Sequence, residues 1–132
     1  MQVEIDSPFD DEKQQIGIDF DGVIHKCSKG YHDGTIYDDP IEGSLEAIQN
    51  ISTKFTIIIY SAKARSDRPL VNNKTGIELI WEWLEKHGFK EYVKEVTAEK
   101  PRAFCYIDDR AIRFTDWQQT REILKNYLVL TP

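Results

Sequence analysis

Apolar residues in this chain fall into short runs whose spacing alternates between that of strands and that of helices. The first run, Gln15 to Phe20, predicts a strand. His25 to Asp39 is polar, with Gly30, Gly34 and several aromatics. It predicts a loop or a small β-flap, with strands at 29–31 and 35–37 around His32-Asp33-Gly34, since Asp-Gly favours a hairpin turn. Pro40 favours a helix start, and Ile41, Leu45, Ile48 and Ile51 follow at helical spacing, with Lys54 closing the helix. Phe55 to Tyr60 is β-branched and apolar almost throughout, the pattern of a central strand covered on both faces. Ser61 to Asn73 is a charged loop. Thr75 to His87 predicts a helix with Ile77, Ile80, Trp81 and Leu84 on its apolar stripe and Trp83 more exposed; Gly88 terminates it. Tyr92 to Val96 is a weaker strand, and 103–107 a short buried one with Cys105 as core filler. Asp116 can cap a last helix that buries Ile123, Leu124 and Tyr127, and an apolar run, Tyr127 to Leu130, ends the sequence. Residues 1–13 read as a polar leader, or as an edge strand at Val3 to Ile5.

This alternation implies one α/β domain over residues 1–132: a three-layer, Rossmann-like arrangement around a mainly parallel sheet. Composition narrows the picture. Three Trp, six Tyr and six Phe in 132 residues fit a packed domain. A net charge of −6 disfavours non-specific binding to nucleic acid or anionic membrane. No apolar stretch is long enough to span a bilayer, and Met1 to Lys13 lacks the pattern of a signal peptide. Cys27 and Cys105 are therefore expected as reduced thiols in a cytoplasmic protein. His25, His32 and His87 are scattered, so no zinc spacing exists; His25 and His32 are expected on the surface of the flap.

The chemistry gathers at predicted strand ends. Residues two apart on a strand point the same way, so Asp19 and Asp21 project together, and Gly22 permits a tight turn after them. The bare Asp-x-Asp-Gly also suits an ordinary strand-to-turn junction. Ser61 follows the second strand, and Asp108-Asp109 follows 103–107. In parallel sheets functional residues collect beyond the carboxyl ends of the strands. Adjacent carboxylates there repel unless a cation compensates, and Mg²⁺ prefers carboxylate and water oxygens. Asp19 is then a candidate nucleophile, Asp21 a proton donor and acceptor, and Ser61 a phosphoryl hydrogen-bond partner. Lys100 is the first candidate for the phosphate-binding cation, with Lys63 and Arg65 as rivals; the basic loop of Lys63, Arg65 and Arg68 otherwise reads as solvated.

Asp19-Phe20-Asp21-Gly22-Val23, Ser61, Lys100-Pro101 and Ile107-Asp108-Asp109 resemble, in order, the four signature motifs of the haloacid dehalogenase superfamily of phosphohydrolases. The resemblance covers Ile16 to about Phe114. It implies a phosphatase that hydrolyses phosphate monoesters through an aspartyl-phosphate at Asp19, with Asp21 as general acid/base and Ser61 and Lys100 on the phosphoryl group. It implies Mg²⁺ held by Asp19, the backbone carbonyl of Asp21, Asp108 and Asp109. Lys100 lies only eight residues before Asp108, closer than in many relatives. Fewer than twenty residues separate the first motif from the helix at 41, which leaves no room for a large cap domain. The chain thus resembles the capless subclass, with the 25–39 flap over the site. Such proteins act on bulky phosphorylated molecules or macromolecule ends, or borrow a second copy of the chain as a lid. Two alternatives stand beside this reading. One is a regulatory module that binds metal and phosphate without turnover. The other is a receiver-type phosphoacceptor, disfavoured because here the acidic pair comes late in the sequence. Sugar phosphates, nucleotides, nucleic-acid ends and lipid precursors all remain open as substrates.

Overall fold

The computed structural model describes residues 14–128, without the side chain of Leu128. The expected leader at 1–13, the Val3 to Ile5 strand and the end of the 127–130 run lie outside the described residues.

Four strands form one parallel sheet: β1 (Gln15–Asp19), β2 (Thr56–Tyr60), β3 (Glu95–Thr97) and β4 (Cys105–Ile107), in the order β3-β2-β1-β4. Three helices accompany them: α1 (Ser44–Ser52), α2 (Gly76–Lys86) and α3 (Trp117–Leu128). The fold is α/β and Rossmann-like. The middle three residues of β1 and the last four of β2 are buried, as expected of central strands covered on both sides. Ile16 and Ile18 of β1 and Ile57 and Ile59 of β2 join Phe20, Ile24, Ile48, Ile80, Trp83, Leu84 and Phe89 in one cluster. Burial of each such side chain contributes about 1.5–3 kcal/mol. Among the described residues no helix is long and apolar enough to cross a membrane.

Several sequence expectations change. The 25–39 segment carries turns rather than paired strands, and its bridges are single residues: His25 to Asp21 and His25 to Pro40. Helix α1 begins at Ser44 rather than near Pro40, because Gly43 before it adopts a left-handed φ of 84°. In α2 the buried face is Gly76, Ile80, Trp83 and Leu84. Trp83 is thus core and donates its indole N–H to the Asp38 carbonyl at 2.8 Å, whereas Trp81 is half-buried and Ile77 exposed. The helix begins at Gly76, after Thr75, and its inward stripe runs at 76, 80, 83 and 84 instead of 77, 80, 81 and 84. The expected strand at 92–96 starts later, because Lys90–Tyr92 closes a 3₁₀ turn. Strand β4 is exposed at all three residues. It sits at the sheet edge, so Cys105 is an exposed free thiol and not core filler. Helix α3 starts as foreseen, with Asp116 Oδ1 accepting the Gln119 backbone N–H at 2.8 Å. Leu124 and Tyr127, however, are exposed.

Candidate functional site

The chain runs β1, β2, β3 outward in one direction and then returns to place β4 on the other side of β1. In open parallel sheets a crevice forms where the strand order reverses, beyond the carboxyl ends. Here that point lies between β1 and β4; β1 ends in Asp19, and Asp108 follows β4 directly. Asp19, Asp108 and Asp109 each bring a carboxylate oxygen within 4.8 Å of the others. The Phe20 backbone N–H donates to Asp19 Oδ1 at 2.8 Å. The Tyr60 hydroxyl donates to Asp108 Oδ2 and the Arg110 backbone N–H to Asp108 Oδ1, both at 2.8 Å. Gly22, at φ 83°, lies so close to Asp109 that a Cβ there would collide with Oδ2; glycine is required both for the turn and for the carboxylate beside it.

Burial pushes the Asp19 carboxyl up to about 6, with the Asp108 and Asp109 charges adding to the shift and the Phe20 N–H opposing it. Asp108, given two donors by the Arg110 N–H and Tyr60, is held below the usual range. The centre thus gathers three acidic groups, the half-buried Asp19 carboxylate among them. Three converging carboxylates are a group that could hold a hard divalent cation.

Asp21 faces different company. Lys63 Nζ lies 3.0 Å from its Oδ2 and 3.2 Å from its Oδ1, and the ammonium is almost fully buried. His25 Nδ1 lies 2.8 Å from the same Oδ1. Burial raises the Asp21 carboxyl, but His25 and Lys63 together outweigh it and leave the group below its ordinary value. Lys63 is brought there by a 3₁₀ turn, Ala62–Ala64, capped by Ser61, whose Oγ accepts the Lys63 backbone N–H at 3.1 Å. That bond uses a lone pair of Ser61 and leaves its hydroxyl hydrogen for another partner. Arg68 holds the turn from outside, donating from Nη1 to the Lys63 carbonyl at 2.5 Å and from Nη2 to the Tyr31 hydroxyl at 3.3 Å.

A cleft of about 430 Å³ opens over these groups. Asp19, Asp21, Ser61, Lys63 and Asp109 line it, and Tyr31 reaches it from the 25–39 segment. Five of the sequence candidates therefore come together: Asp19, Asp21, Ser61, Asp108 and Asp109. Lys100 is not among the residues lining the cleft, but its charge helps hold the Asp108 carboxyl down. It is exposed, with its ammonium 4.2 Å from the Tyr106 ring centre and 5.9 Å from that of Tyr60. Lys63, the rival to Lys100 in the sequence reading, is buried in the site, whereas its basic loop otherwise read as solvated. His25, read as a surface residue of the flap, is fully buried. A signal for Lys63 was its place two residues beyond Ser61, at the end of the strand beside β1. Comparison with protein-family models, curated proteins and solved structures finds no match to this chain.

Proposed function

We propose that this protein is a Mg²⁺-dependent phosphatase of the haloacid dehalogenase type, acting on a phosphate monoester through an aspartyl-phosphate on Asp19. The observation that carries the reading is the meeting of Asp19 with Asp108 and Asp109 where the strand order reverses, across a cleft shared with Ser61 and Lys63. Mg²⁺ held by those three carboxylates would offset the charge of a phosphate brought against an acidic centre. In this reading one Asp19 oxygen attacks phosphorus while Ser61 donates to a phosphoryl oxygen. Asp21 protonates the leaving oxygen and then takes a proton from the water that opens the acyl phosphate. Its lowered pKa suits the base half of that cycle. The acid half needs a proton the resting carboxylate lacks; a phosphate dianion competing for Lys63 would weaken the ion pair and favour protonation. The reading extends to a three-layer arrangement, to the 25–39 segment as a small lid, to a cytoplasmic setting, and to a phosphorylated small molecule or macromolecule end as substrate.

The test is release of phosphate from an aryl phosphate with and without Mg²⁺. Wild type should turn over only with the metal, and Asp19→Asn should lose turnover while keeping its circular-dichroism spectrum and thermal midpoint. Activity retained in Asp19→Asn would refute the nucleophile. Metal-dependent phosphate binding with no turnover would favour the regulatory module instead.

A further inference from the structure

We infer that His25 is a positioning residue that fixes Asp21 through a single defined tautomer, an inference that rests on the phosphatase reading for its consequence in rate. His25 is fully buried, and both of its ring nitrogens are engaged. The backbone N–H of Asp38 donates to Nε2 at 3.0 Å. That nitrogen must therefore present its lone pair, and in a neutral ring the hydrogen sits on Nδ1. Nδ1 lies 2.8 Å from Asp21 Oδ1, so it donates there. The ring cannot turn away. It stacks on Phe20 at 5.3 Å with an interplanar angle of 11° and meets the edges of Trp83 and Tyr37 at 5.6 and 5.3 Å.

The same assignment decides between two uses of the local cluster. Asp21, His25 and Cys27 carry ligand atoms within 4.8 Å of one another, a set that could take a soft metal. A metal on Nδ1 would need the ring hydrogen on Nε2, where the Asp38 N–H already points, and it would face the Lys63 ammonium. The geometry opposes a metal and favours a clamp. Oδ1 of Asp21 then takes His25 and Lys63, and Oδ2 lies 3.0 Å from Lys63, with the Cys27 thiol also bonding the carboxylate. Oδ2 is the oxygen left with capacity to exchange a proton with a group in the cleft. His25 thus selects which Asp21 oxygen works and where it points.

Three substitutions separate this role from packing. In His25→Asn the side-chain amide N–H occupies the place of Nδ1 and keeps the donor to Asp21. In His25→Gln the amide reaches instead toward the place of Nε2 and keeps only the acceptor for Asp38. His25→Phe keeps the stacked ring and neither bond. Assayed with aryl phosphate and Mg²⁺, the Gln and Phe variants should lose about 100-fold in kcat with KM little changed, the cost of a misplaced catalytic group. The Asn variant should stay within about fivefold of wild type even where its thermal midpoint falls as far as that of Gln. Equal kcat losses in Asn and Gln, or losses that follow thermal midpoint across the three, would overturn the positioning role. Long-range proton–nitrogen correlation spectra of the ¹⁵N-labelled protein read the tautomer without turnover. They should show the His25 hydrogen on Nδ1, and a hydrogen on Nε2 would overturn the assignment. Absence of turnover in wild type as well, with the Nδ1 hydrogen present, would instead overturn the phosphatase reading and the rate role built on it, leaving the tautomer assignment in place.

Discussion

At the scale of single residues, the site divides its charges between two carboxylates that are neighbours in sequence and opposite in circumstance. Asp19 is pushed up by burial and by two further acids, whereas Asp21 is drawn down by a histidine and a lysine. Separating the pKa values of two acids is how one site supplies distinct roles at one pH. The division also ranks the lysines. Lys63 already faces the cleft, and Lys100 sits outside over aromatic rings. Lys63→Ala should therefore cost about 100-fold or more in kcat/KM, because it removes a buried charge partner and a candidate phosphate contact together. Lys100→Ala should cost less than about tenfold. Steady-state kinetics on both variants check the order; a larger loss at Lys100 would return the third motif to the place the sequence resemblance gave it. Sequence alone made Asp19, Asp21, Ser61, Asp108 and Asp109 visible, because strand periodicity and strand ends are local signals. His25 was hidden and Lys63 stood only as a rival to Lys100, because their burial depends on which loop folds over which strand.

At the scale of elements, the apolar patterns located the strands and the three helices well, yet misjudged which side of α2 is inward. Ile80 and Leu84 are common to both stripes; Gly76 replaces Ile77 at the helix start and Trp83 replaces Trp81. Local chemistry sets that start. Thr75 Oγ1 accepts the Glu78 backbone N–H at 3.2 Å, and the Glu78 carboxylate accepts the Thr75 N–H at 3.0 Å, a reciprocal cap. Immediately after it, Gly76 lies against the Lys63 carbonyl so closely that a Cβ would overlap the oxygen. Thr75→Ala should lower stability by about 1 kcal/mol and leave kcat near wild type. Gly76→Ala should lower stability further and reduce kcat as well, because backbone must move where Lys63 is held. Urea unfolding together with kinetics on the pair would show whether the start of α2 supports the site. The 25–39 segment was harder to read: Asp-Gly suited a hairpin, but its backbone closes tight turns, as when the Gly30 N–H donates to the Cys27 carbonyl and the Gly34 N–H to the Tyr31 carbonyl, both at 3.0 Å.

At the scale of the whole molecule, the acidic centre opposes folding and a cation relieves it. A carboxyl whose folded pKa is raised stabilises the fold below its unfolded value and loses that contribution as pH rises through the folded value. For Asp19 the window runs from 3.8 to about 6. In metal-free protein, lowering pH from 7 to 5 should therefore raise the thermal midpoint of wild type relative to Asp19→Asn. The comparison is needed because His87, depressed by burial, acts in the opposite direction and is present in both. At neutral pH, Mg²⁺ at ten times its dissociation constant should stabilise wild type by about 1.4 kcal/mol, a shift of roughly 4 °C. Asp19→Asn should respond less. Calorimetry with and without chelator measures both effects, and an identical metal response in the two proteins would remove Asp19 from the cation site.

The pairing of β1 with β4 has a further consequence in time. Ile16 meets Cys105 and Ile18 meets Ile107, a contact between opposite ends of the described chain. Non-local pairing of this kind closes slowly, because the intervening chain must be ordered first. A growing chain therefore carries Asp19 long before it carries the acids that complete the centre, and no fragment ending before β4 can assemble it. In the proposed phosphatase reading, turnover recovered after dilution from denaturant would lag behind recovered helix.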